Sequence, residues 1–282
     1  MYIDIEQAKR SFAEYVSHYD RKDPKIQLKL RHTMLVMEAC GYLADSLHLE
    51  GDDHRLALLI GLLHDIGRFE QLTETGSYDD TLLSHTACGL DILFPEHSEV
   101  PLIRNLSHNR SLPASAIPSF SMEAFVLGRK YDSLIYTAIK NHGQFAVDEG
   151  LDEDVLLYSR LIRDADKLDN FRVKSEDSIE AMLEMSGEEL GGHPITDSIY
   201  ETFLSCRPIV YADRQTPMDF WLSFIAYIFD LNFPASFSYV LEHGFLERMV
   251  NRIPYSHSQT RERMQTVLDT AVRYCHSQSG QR

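Results

Sequence analysis

The sequence predicts an all-α protein, and three observations carry that prediction. Apolar residues recur near the 3.6-residue helical period along most of the chain. The period-2 alternation of half-buried strands is scarce. Turn signals separate the periodic segments, at Gly76-Ser77, at Pro113 and Pro118 within Leu112–Ser121, and at Gly191-Gly192 before Pro194.

Taken in order, Leu28, Leu35, Val36, Ala39, Leu43 and Leu47 mark a helix from Ile26 to Leu49. Asp52-Asp53 then gives an acidic start to a helix over Leu56–Ile66, which suits the helix dipole, and Gly67 reads as its C-terminal stop. Further helices are expected at about 81–94, 98–107, 121–141, 151–171, 176–190, 194–205, 217–231, 235–252 and 259–277. The stretch 174–192 divides the chain into a domain over 1–175 and a helical C-terminal extension over 176–282, with one continuous domain as the alternative. The apolar run from Phe220 to Phe229 is bracketed by Asp219 and Asp230. It covers about half of the roughly twenty residues that a membrane span needs, so it reads as a buried core helix. The C-terminal extension could instead form a lid or a self-association surface giving a homo-oligomer, and the aromatic run from Phe220 to Phe233 would suit either.

The 282 residues are 44% apolar and 25% charged, an ordinary globular balance. A compact chain of this size buries roughly three quarters of its unfolded surface. It needs no metal merely to fold, so a metal site here would be functional. The net charge of −16 repels nucleic-acid backbones and anionic membranes, which argues against duplex binding and membrane attachment. A small anionic substrate fits only where cations reverse the local field. Cys40, Cys88, Cys206 and Cys275 form no C-x-x-C pair and read as packed side chains in helices, as in a reducing cytoplasm. The opening residues lack the basic start and apolar stretch of a signal peptide, and a cytoplasmic location is expected.

The chemistry concentrates at His64-Asp65, which closes the apolar run begun at Leu56. Burying a carboxylate without a partner is costly, and a divalent cation would remove that cost while taking both groups as ligands. The alternative is a helix that simply ends with both side chains in water. His32 lies on the preceding helix, and a short turn between the two would bring it toward the same end of the bundle. A second carboxylate comes from Asp164, Asp166 and Asp169. One or two of these belong on a solvated face, and Asp166, flanked by Ala165 and Leu168, is the one placed inward.

The ordered set His32, His64-Asp65, Asp166 resembles the H…HD…D signature of the HD superfamily of metal-dependent phosphohydrolases. The segments Leu62–Gln71 and Ile162–Asp169 are similar to the family's flanking words, and the resemblance covers about residues 25–175. It implies a helical bundle holding one or two divalent ions. His32, His64, Asp65 and Asp166 would form the first site. Asp65 would bridge to a second ion held by His85 and His142, which fall where dinuclear members carry extra histidines. Imidazole and carboxylate ligands suit Mn, Fe, Co, Ni or Zn, and Mg stays open as well.

On that resemblance, His85 serves either as a ligand or as an acid/base, with Glu70 as another proton donor. Arg68 and Lys167 would clamp a phosphoryl group, although both could instead be surface cations offsetting nearby acids. His97 and His193 are assigned no role, and His108 could at most line the rim. Specificity would come from loops near 69–80 and 108–121. The function implied is hydrolysis of a phosphate ester, of a nucleotide or another small phosphorylated metabolite, by metal-activated water. Two alternatives are a di-iron oxygenase of the HD type and a non-catalytic metal- or ligand-binding signalling module. The Gly-Tyr-Pro word of the cyclic-dinucleotide phosphodiesterases is absent after His142. So is the Glu-Asp pair of the alarmone hydrolases after Asp65.

Overall fold

The computed structural model describes residues 3–97 and 120–280, and every regular element among them is helical. The chain forms two compact units, Met1–Ala165 and Asp166–Arg282.

The first unit begins with α1 (Ile5–Val16), α2 (Pro24–Ser46) and α3 (Gly51–Leu63). Local chemistry sets the start of α2, where Asp23 caps it by accepting from the Lys25 amide at 2.7 Å and Pro24 fills its first turn. Four residues then turn the chain so that α3 folds back along α2. Leu43, Leu56, Leu59, Ile60 and Leu63 are fully buried, each contributing roughly 1.5–3 kcal/mol of hydrophobic stabilisation. Next come α4 (Gly67–Thr75), α5 (His85–Leu93), α6 (Asp132–His142) and the start of α7 (Glu153–Glu176), which runs unbroken into the second unit.

Gly67 was expected to stop a helix, and instead it starts one. The preceding helix ends at Leu63, and residues 64–66 form a turn. The glycine is there for close approach. A Cβ at position 67 would lie 2.1 Å from the His85 carbonyl oxygen and 2.3 Å from the Gly89 amide. No side chain fits where α4 crosses α5, and this crossing carries His85 toward Asp65.

The second unit contains the rest of α7, then α8 (Ile179–Leu183), α9 (Gly187–Gly191), α10 (Asp197–Leu204), α11 (Pro217–Ile225), α12 (Pro234–Glu242), α13 (Phe245–Asn251) and α14 (Ser258–Gln278). Thr216 and Asp219 form a reciprocal capping box on α11. The buried Asp219 carboxylate also accepts from the Thr196 amide at 2.8 Å and the Thr196 hydroxyl at 2.6 Å, tying the start of α10 to α11. Trp221 is fully buried and donates from its indole nitrogen to the Met249 carbonyl at 3.2 Å. The run from Phe220 to Phe229 is α11 plus a 3₁₀ turn over Ala226–Asp230, with Trp221, Leu222, Ile225 and Ile228 in the core. Among the described residues no helix is long and apolar enough to cross a membrane.

Several expected helices are shorter or broken, among them 81–94, which begins only at His85. The 121–141 segment gives only a 3₁₀ turn, Met122–Ala124, before α6 begins at Asp132. The 176–190 segment breaks at Glu184, which has a left-handed φ of 56°. The 235–252 segment breaks at Gly244, whose φ of 59° ends one helix and opens another. Cys40, Cys88 and Cys275 are buried in helices as expected, but Cys206 is half-buried in the turn after α10. The helix expected at 98–107 and His108 lie outside the described residues, as does nearly all of the 108–121 loop.

Candidate metal centre

Asp65 sits in the turn between α3 and α4 and is 3% exposed. Four imidazoles surround its carboxylate within the first unit. His32 Nε2 and His64 Nε2 lie 3.6 and 3.8 Å from Oδ2, and His85 Nε2 and His142 Nε2 lie 3.4 and 3.7 Å from Oδ1. All four histidines are buried. His64, Asp65 and His142 each offer a ligand atom, and the three atoms lie within 4.8 Å of one another.

The backbone selects the nitrogen that each ring presents. His64 caps the end of α3 and His142 is the last residue of α6. Helix ends leave carbonyls without an intrahelical partner. The Nδ1 of His64 lies 2.8 Å from the Gly61 oxygen, and that of His142 lies 2.6 Å from the Ile139 oxygen. A carbonyl only accepts, so each Nδ1 carries the proton and each Nε2 turns a lone pair inward. His85 starts α5, and its Nδ1 meets the Asp80 carboxylate at 2.5 Å. This is the carboxylate–histidine pairing that commonly orients a metal-ligating imidazole.

The His85 and His142 Nε2 atoms consequently face each other at 3.2 Å, lone pair toward lone pair. Two ring nitrogens bound to one ion at roughly 2.0–2.1 Å each come to about 3.3 Å of one another. The donor chemistry and this spacing both fit a divalent cation of the first transition row.

The electrostatics agree with ligands held in their binding forms. Burial favours the neutral form of His85 and brings its pKa down to about 4, with Arg68 adding to the effect. Burial alone would raise the Asp65 pKa, yet the neighbouring cations, Lys29 first and then Arg68, hold it well below the usual carboxylate range. Asp80 also resists protonation. Burial acts to raise its pKa, but its bonds with His85 and the charge of Arg68 keep it at about 2.

Arg68 occupies the first turn of α4, largely buried, with Nε 3.5 Å from Asp65 Oδ1. A cation there opposes the helix dipole. Its guanidinium is engaged with Gln71 Oε1 at 2.7 Å, the Tyr78 carbonyl at 3.1 Å and the Asp80 carboxylate at 3.3 Å. Glu70 is buried on the same helix and accepts from the Tyr19 hydroxyl at 3.1 Å.

Asp166 is the first residue of the second unit, on α7. It is half-buried, and Asn170 donates to its carboxylate at 3.0 Å. The sequence places one or two of the three aspartates on a solvated face, but Asp164 and Asp169 are both buried, and Asp169 takes two hydrogen bonds from Arg172. Lys167 pairs with Asp230 at 2.7 Å.

Three contributors are absent from the sequence reading. Lys29 reaches Asp65 Oδ2 at 2.7 Å, and its position one helical turn before His32 was a usable signal. Asp80 lies in a loop, and nothing in its surroundings marks it. Arg163 is 2% exposed and donates to the carbonyls of Asn141, Gln144 and Phe145 at 2.8, 2.6 and 3.0 Å, clamping the turn that carries His142. A charge between Ile162 and Asp164 in an apolar helix hints at such a buried cation.

Compared with known proteins, residues 30–170 match the HD domain family. No curated protein and no solved structure matches the chain.

Proposed function

Because the chain belongs to the HD domain family, whose members are in general metal-dependent hydrolases, we propose that it is a phosphohydrolase cleaving a phosphate ester of a nucleotide or another small phosphorylated metabolite. The observation that carries this reading is the convergence of four imidazoles, three of them oriented through Nδ1, on both oxygens of Asp65. A structural metal has no role to fill in a chain whose apolar core is ample.

Within the first unit, His32, His64 and Asp65 would hold one ion, and His85 and His142 would share Asp65 with a second. A divalent ion there supplies a water acidic enough to be deprotonated near neutral pH, together with positive charge for the phosphoryl oxygens. The chain's own residues do the rest. Gly61, Ile139 and Asp80 fix the rings of His64, His142 and His85. Arg68 adds positive charge beside Asp65 and, through Asp80, steadies His85. Its many contacts favour this positioning role over that of a free clamp. Lys167, already paired with Asp230, is a weaker clamp candidate.

The test is phosphate release from a panel of nucleotides and sugar phosphates with Mn²⁺ present. Wild-type protein should release phosphate from at least one member, and Asp65→Ala should lower the rate at least ~10³-fold, as expected when transition-state charge stabilisation is lost. A variant as active as wild type would overturn the reading.

A further inference from the structure

We propose that Lys29 positions the substrate's phosphoryl group, and that its ammonium competes with the divalent ion for Asp65. The inference rests on the metal-dependent reading and names a residue which that reading does not require.

Lys29 lies three residues before His32 on α2, so both side chains leave the same face of the helix. Its side chain is 13% exposed and its Nζ is 2.7 Å from Asp65 Oδ2. That is the oxygen faced by His32 and His64 at 3.6 and 3.8 Å. The ammonium head therefore stands inside the ligand cluster, not at its rim.

A lysine ammonium is a compact charge with three donors on a flexible stem. Asp65 is the one hydrogen-bond acceptor Lys29 uses among the described residues, and the Tyr78 ring lies 5.7 Å away. Two donors remain for a ligand. The other cations are committed differently. Arg68 is fixed by Gln71, Tyr78 and Asp80, and Lys25 donates to the Gly76 carbonyl at 2.7 Å.

A divalent ion and an ammonium on the same carboxylate oxygen repel each other. Ion binding must weaken the Lys29–Asp65 bond, and the stem lets the head turn toward the nearest incoming anion. In a chain of net charge −16, Lys25, Lys29 and Arg68 gather positive charge around Tyr78 and Asp65. Asp23, Asp65 and Asp80 offset these three charges, so the local field turns positive only with the divalent ion bound, and it then favours a phosphoryl dianion over a neutral ligand.

The experiment uses Lys29→Met, which keeps the apolar stem, and Lys29→Arg, which keeps the charge. Mn²⁺ binding to the EDTA-stripped full-length protein is measured by calorimetry, and inorganic phosphate binding is measured on the Mn²⁺-loaded protein. Lys29→Met should bind Mn²⁺ about tenfold more tightly and phosphate about tenfold more weakly, the size of one charge-assisted hydrogen bond. Lys29→Arg should retain phosphate affinity. Unchanged Mn²⁺ and phosphate affinities in Lys29→Met would overturn the inference alone. A wild-type protein that binds no Mn²⁺ would overturn the metal-centre reading and the inference with it.

Discussion

Arg163 shows how a residue outside the ligand set can govern it. Its guanidinium closes the turn after α6 by donating to three backbone carbonyls. Arg163→Met keeps most of the apolar stem but removes the three donors that hold the turn, from the carbonyls of buried Asn141, half-buried Gln144 and exposed Phe145. The expected cost is about 2–3 kcal/mol, since a buried hydrogen bond from a charged group contributes roughly 1.5–3 kcal/mol and water replaces part of the loss at the exposed end of the turn. A urea melt reads that loss. Mn²⁺ titration should show the weakest site affected first, because His142 loses its fixed bearing. Stability within ~0.5 kcal/mol of wild type would contradict the account of this residue. The sequence made the histidines and Asp65 legible because ligand types must recur in a fixed order. Lys29, Asp80 and Arg163 were less legible because they act through contacts across 36, five and about twenty residues of chain.

At the scale of elements, Gly67, the first residue of α4, carries the packing. α4 and α5 approach so closely that a methyl group at position 67 would overlap two backbone atoms of the opposing helix. Gly67→Ala should therefore destabilise the first unit by about 3 kcal/mol, the upper range for overpacking, because backbone yields less readily than a side chain. It should also lower Mn²⁺ affinity by moving His85. A variant with both properties unchanged would show that the helices can separate without cost. Helix existence was legible from periodicity over much of the chain, but α1 was not expected and α4 occupies most of a segment expected as a loop. Boundaries were less legible, for physical reasons. A glycine needed for close approach looks like a helix stop in sequence, and a left-handed residue such as Glu184 leaves no compositional trace.

For the whole molecule, the composition and the centre make different demands. The two units carry enough buried apolar surface to fold without a metal. Five buried ionisable side chains around one point, His32, His64, Asp65, His85 and His142, add little to stability by themselves. They make sense as a binding site in a protein otherwise strongly acidic. The most direct measurement is a calorimetric Mn²⁺ titration of EDTA-stripped protein, wild type against the near-isosteric Asp65→Asn, with circular dichroism confirming that both are folded. The account predicts saturable binding of one or two ions per wild-type chain and none by the variant. Equal binding by the two proteins, or none by either, would contradict it.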